Sequence, residues 1–152
     1  MVSVVNEIES IGEFIEPVFA SPTVHYQQVP VQPKENEMVI RYLLTDSATE
    51  TSFSYRLNRT YQIIYFGKNE FDCLKAFEAL EQQLNNSLVL PLKNSDRFLR
   101  LESFSYSQPF KTESGTCVAI LGVLNAHLRE AREQETYEKI KNMDLTVINL
   151  SI

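Results

Sequence analysis

A chain of 152 residues, 43% of them apolar and 11% aromatic, is long enough for one cored domain and short of two full ones. Its formal charge of −6 argues against broad binding to nucleic acid or to anionic membrane, because both call for basic surface. Cys73 and Cys117 are the two cysteines, and neither has a second cysteine or a histidine at metal-ligand spacing. Two reduced, buried thiols are expected, with a disulfide between them as the alternative.

The opening MVSVVNEIESIGEFIE is acidic and lacks the basic n-region of a signal peptide. No apolar run approaches the roughly 20 residues that a bilayer requires. A soluble chain made in the cytoplasm is expected. Val4, Ile8, Ile11 and Ile15 form a helical stripe over residues 3–16, capped by Ser3 or an earlier residue and ended by Pro17. Glu7, Glu9, Glu13 and Glu16 are assigned to the wet side of that helix.

Residues 21–34 carry Pro22, Pro30 and Pro33 and read as an extended connector, with at most a short edge strand over 24–26. MVIRYLLT, 38–45, is a strand candidate, and the polar stretch 46–54 reads as a mobile loop containing Asp46, Glu50 and Phe53. Residues 55–66 form a long strand with Tyr61, Ile63 and Tyr65 on one face and Gln62, Ile64 and Phe66 on the other. Two largely apolar faces imply a strand covered on both sides, or one side closed by a partner chain.

The next helix takes Asn69 as N-cap and places Glu70 and Asp72 in its first turn, where carboxylates suit the unpaired N–H groups. Its apolar stripe is Cys73, Phe77, Leu80 and Leu84, widened by Phe71 and Leu74, and Asn85 and Asn86 stop it. Residues 88–92 are an apolar connector and 94–96 a turn. Residues 98–110 and 116–130 are strands joined by a turn at 112–115; a helix for the second half of the latter is the alternative, and Gly122 marks a candidate bulge.

In the remainder, Tyr137, Ile140 and Met143 suggest a short helix over 133–142. LTVINLSI, 145–152, has strand chemistry suited to pairing with a neighbouring chain or with its own sheet. The order predicts a single α+β domain: a mainly antiparallel sheet of two hairpins, with the N-terminal and the central helix packed on one face.

Chemical constellations are few. Gly67-Lys68-Asn69 follows a strand and opens a helix, as a phosphate loop does. However, such a loop needs an earlier glycine, where Ile63 stands, and a hydroxyl after the lysine, where Asn69 stands. A tight turn is expected. His25 and His127 lack any nucleophile-elbow or zinc-spaced company, and His127 reads as an exposed strand end. Paired acids such as Glu7 and Glu9, or Glu133 and Glu135, lie in charged segments without an apolar setting to tune them. Arg56, Arg59, Arg97, Arg100, Arg129 and Arg132 flank strand ends; each is a solvated end, or together they form a basic rim facing an acidic neighbour. No catalytic residue, metal site or cofactor is assigned.

The block LNRTYQIIYFGKNEFDCLKAFEALEQQL, followed by RFLRLESFSYSQPF, a turn and CVAILGVLNAHLRE, resembles the tail terminator (tail completion) proteins of long-tailed phages and of phage-like elements of Gram-positive bacteria. Those have an N-terminal helix, an Arg-rich strand of the kind R-x-Y-x-I-x-Y-F, an acidic-start helix and a closing hairpin. The likeness spans residues 39–132 and leaves 133–152 as a C-terminal extension. It implies a non-enzymatic subunit of the virion tail, assembled in the host bacterial cytoplasm. Copies would form a ring, typically a hexamer, that caps the tail tube, stops its polymerisation and offers a surface to head–tail connector proteins. Neither nucleic-acid sequence recognition nor membrane binding is implied. The alternative is a small α+β enzyme or ligand-binding module with a pocket around His127 or His25.

Overall fold

Residues 3–113 and 115–133 are described by the computed structural model. Helix α1 spans Val4–Ile15, and the Ser3 side chain accepts from the Asn6 N–H at its start. Pro17 does not continue it, and the chain tightens there into a single 3₁₀ turn, Glu16–Val18. Strands β1 (Thr23–Tyr26), β2 (Glu37–Thr49) and β3 (Ser54–Gly67) precede helix α2 (Glu70–Ser87). Strands β4 (Val89–Pro91), β5 (Phe98–Tyr106), β6 (Phe110–Lys111) and β7 (Val118–Ala131) follow it.

The seven strands make one sheet in the order β1-β2-β3-β7-β5-β4, with β6 also on β7. All pairings are antiparallel except β1 with β2, which is parallel. The long pair β3–β7 lies at the centre, with Tyr61 opposite Leu124 and Ile64 opposite Leu121. Period-two alternation then sorts the side chains. Tyr61, Ile63, Ile120 and Leu124 lie on the helix side, in one core with Ile8, Ile11 and Ile15 of α1 and Cys73, Phe77, Leu80 and Leu84 of α2. Tyr65 packs against that core from the same face, against Phe19. The α2 stripe is therefore as expected, except that Phe71 projects into solvent, 75% exposed.

Several local expectations are corrected. The stretch 46–49 continues β2, with Asp46 opposite Asn58, so the connection to β3 shrinks to 50–53. A polar sequence can hold a strand when its partner supplies the ladder. Asn85 and Asn86 lie within α2, whose end comes at Leu88 with φ of 58°. Val89–Pro91 is a short edge strand, not a plain connector. The expected strand over 98–110 is interrupted at 107–109, where Pro109 has no N–H for the ladder. Phe110 thereby pairs with Ala119 and faces away from the helices, while Phe104 and Tyr106 face toward them.

Bulges fall at Leu43 and Glu102, and none falls at Gly122. That glycine instead admits close packing: a Cβ there would stand 2.7 Å from the Phe104 ring and 2.9 Å from Phe77. The sequence expectations over 134–152, a helix and a terminal strand, lie outside the described residues.

Candidate interaction surface

Gly67-Lys68-Asn69 is a turn that stops β3 and starts α2. Asn69 Oδ1 accepts the Asp72 N–H at 2.9 Å, and a Cβ on Gly67 would meet Cys73 Sγ at 2.7 Å. Cys73 and Cys117 are free, buried thiols. Cys73 Sγ lies 3.5 Å from the Val118 carbonyl, and burial pushes its thiol up to about 11, well away from a reactive thiolate. Among the described residues no group of three or more His, Cys, Asp or Glu side chains could hold a metal ion. No helix among them is long and apolar enough to cross a membrane.

Two of the charges assigned to the surface lie inside. Glu7 is fully buried and Arg59 nearly so. Arg59 Nε donates to Glu7 Oε1 at 2.9 Å, its second nitrogen reaches Oε2 at 3.2 Å, and its third donates to Thr45 Oγ1 at 2.8 Å. The Tyr61 hydroxyl donates to the same Glu7 carboxylate, and burial with that negative charge pushes its pKa strongly upward. Glu7 is therefore not on the wet side of α1, and Arg59 does not belong to an external rim. Both face the core because α1 packs on the side of the sheet to which the odd-numbered side chains of β3 point. Every polar atom that burial strips of water there has a protein partner.

The other arginines gather around the end of β7, with Arg56, Arg100 and Arg129 on the face away from the helices and Arg132 beside Tyr55 on the helix side. Arg56 bonds Glu102 and Asn58, Arg97 bonds Glu130 and the Arg129 carbonyl, and Arg129 bonds Glu50. Arg132 bonds Thr49 and stacks over the Tyr55 ring, while the Arg132 N–H donates to the Phe53 carbonyl. Glu50 and Phe53 are thus tied to this end of the sheet.

His127 sits among these groups, 8% exposed and not at a solvated strand end. Its Nδ1 lies 2.7 Å from Glu102 Oε1, and Arg100, Arg97 and Arg129 line the cleft beside it. Burial, then Arg56, Arg100 and Arg129, lower its pKa. The Glu50 carboxylate acts in the opposite sense, while the Glu102 carboxylate beside the ring is shared with Arg56. His25 is elsewhere, at the β1 edge, with Nε2 2.8 Å from Glu37 Oε2. The two histidines therefore do not form one site.

Farther along the same face the chemistry changes. Val39, Ile64, Phe66, Cys117 and Ala119 form a second, smaller apolar cluster, with Leu121 packed beside it, on the face opposite α1 and α2. The connector residues Val29, Pro30 and Val31 stand along one side and Phe110 on the other, leaving a groove of about 280 Å³ floored by Ile64, Phe66 and Leu121. Val31 is 97% exposed, and Val29 and Phe110 are about two-fifths exposed. The face is graded, apolar near the start of β7 and basic near its end. The alternation of β3 pointed to its even-numbered half; the contribution of Phe110 and the connector depends on strand pairing and was not legible.

No family model matches the chain, and no curated protein matches it. Among solved structures, a chain from the virion of a native gene transfer agent (GTA) particle is similar at 16% identity. The match covers 76% of this chain and 84% of that chain, with a TM-score of 0.38.

Proposed function

We propose that this chain is a structural subunit of a phage-like particle, which self-associates into a ring that caps the tail tube. Such a ring stops tube polymerisation and offers its other surface to head–tail connector proteins. The observation that carries this reading is the apolar groove on the outer face, whose rim of Val29, Val31 and Phe110 is exposed above buried Ile64 and Phe66. An apolar face of this kind on a small domain asks for a partner. The resemblance of the YQIIYF strand and its following helix to tail terminators supports further copies of this chain and the tail tube as partners. A hexamer, the tail-tube protein as neighbour and a place in the virion tail belong to the same proposal. The role asks for no catalytic step.

The test is removal of the gene from the particle that encodes it, followed by electron microscopy. Overlong, headless tails are expected. Tails of normal, fixed length that still join heads would sink the reading.

A second reading is a small ligand-binding module centred on the cleft beside His127, where Arg97, Arg100 and Arg129 converge. Those groups suit an anion. Replacing His25 and His127 together by alanine, with tail assembly and length unchanged, removes it.

A further inference from the structure

The cleft at the end of β7 is lined by Arg97, Phe98, Arg100, His127, Leu128 and Arg129, so its walls carry three cations, an imidazole and no carboxylate. Two of the cations are balanced from outside the lining, Arg97 by Glu130 and Arg129 by Glu50. Arg100 has no ion pair or hydrogen bond among the described residues, while Glu102 on the same strand is taken by Arg56 and His127. Arg129 gives only its Nε to Glu50, which leaves both of its terminal nitrogens unclaimed.

We propose that this cleft binds a tetrahedral oxyanion of the phosphate class, held by Arg100 and Arg129 with His127 Nε2 as a third contact. The proposal rests on the second reading above, the ligand-binding module, and not on the ring.

His127 presents one nitrogen to the cleft. Its Nδ1 is engaged, 2.7 Å from Glu102 Oε1 and 3.0 Å from Arg56 Nη2. Nε2 has no protein partner. The buried side-chain nitrogens and oxygens that lack one, among the described residues, are Arg41 Nε and Gln83 Oε1. Nε2 therefore keeps contact with solvent although the residue is 8% exposed, and the cleft is what His127 lines.

Shape and size suit such a ligand. A planar carboxylate is satisfied by one guanidinium fork, whereas a tetrahedral oxyanion takes donors from more than one direction. Here the unclaimed donors come from β5 through Arg100 and from β7 through Arg129. The volume of about 230 Å³ compares with roughly 30 Å³ for a water, enough for the oxyanion with part of its hydration.

Charge then couples binding to a proton. Around the ring stand Arg56 from β3, Arg97, Arg100 and Glu102 from β5 and the turn before it, Arg129 and Glu130 from β7, and Glu50 from the β2–β3 connection. Three glutamates offset Arg56, Arg97 and Arg129, so Arg100 alone is uncompensated. A dianion leaves a second charge to be met. With Nδ1–H donated to Glu102, Nε2 meets it by taking one proton from solvent and donating it to the bound oxygen. In the free protein burial and then Arg56, Arg100 and Arg129 oppose that proton, so the dianion is what brings it in.

The experiment titrates the full chain with sodium sulfate, a dianion throughout the range used, and then with inorganic phosphate. Chloride holds the ionic strength constant, and NMR follows the His127 ring. Saturable shifts are expected, with the ring midpoint raised by sulfate and affinity falling as pH rises through it. Arg100→Gln should weaken binding at least tenfold with the circular dichroism spectrum unchanged. His127→Gln should bind more weakly and without dependence on pH.

No saturable shift with either anion overturns the site, as does equal affinity in Arg100→Gln. A ring midpoint that sulfate leaves in place overturns the proton coupling and the Nε2 contact with it. Absent anion binding together with tails that fail when His25 and His127 are both alanine sinks the oxyanion and keeps the ligand-binding reading. Anion binding together with tails unaffected by that double replacement keeps the site and removes only that reading of the protein's role.

Discussion

Glu7 on α1 and Arg59 on β3, 52 residues apart, form a buried ion pair that fastens the first helix to the central strand. The pair is bidentate and is completed by Thr45 and Tyr61, so neither charge is left without a partner. Ion pairs of this kind add little over a well-packed apolar pair, but removing one partner strands the other charge.

The first prediction is therefore a double-mutant cycle. Glu7→Leu alone, or Arg59→Met alone, should destabilise the protein by about 3–5 kcal/mol, while the double variant recovers much of the loss. Urea unfolding of the four proteins measures it. Additive single losses would show that the pair is not coupled.

Gly122 gives a second prediction. Gly122→Ala places a methyl against the Phe104 and Phe77 rings and should cost about 1–3 kcal/mol in thermal or urea unfolding. Adding Phe104→Leu should recover part of that loss by making room. A neutral Gly122→Ala would mean that the rings move aside freely.

His127 yields a pH prediction with a definite sign. Its folded pKa lies below the ordinary value of about 6.5, chiefly through burial. Between that lowered value and about 6.5 the unfolded chain binds more protons than the folded one. The stability linked to His127 is thus complete above about pH 6.5 and is lost as pH falls through this window. NMR titration of the ring should show a midpoint below 6.5, and Glu102→Gln should lower it further. A midpoint above 6.5 would mean that Glu102 outweighs the arginines.

Thiol chemistry supplies the fourth. Cys73 is held as a thiol by burial and Cys117 is 4% exposed, so neither should react with a disulfide reagent within minutes in the native protein. Both should react at once in denaturant. Fast labelling of Cys117 alone would show that the wall beside Pro33, whose carbonyl its Sγ approaches at 3.5 Å, opens readily.

Much of the architecture was legible because it is written in local periodicity. The α2 stripe of Cys73, Phe77, Leu80 and Leu84, the Asn69 cap and the two faces of β3 follow from spacing alone. Arg56, Arg97, Arg100, Arg129 and Arg132 lie toward one end of the sheet, and Arg56, Arg97 and Arg129 there pair with Glu102, Glu130 and Glu50 of the same chain, partners that their sequence positions did not indicate. The place of Arg59 was not legible either, because its fate depends on which helix packs on its face of the strand.

What the sequence determined by itself is therefore the set of elements and the face that each would bury. Hydrophobic spacing and capping act within a few residues and need no knowledge of neighbours. Only the tertiary structure decided which charges go inside and which surface stays open. A buried Glu7 is tolerable only because Arg59 and Tyr61 arrive from a distant strand, and His127 is shielded only because β5 lies beside it. Likewise, Phe110 joins the outer groove because a break at Pro109 turns it over. These outcomes depend on pairing partners far apart in the chain, and local pattern carries no record of them.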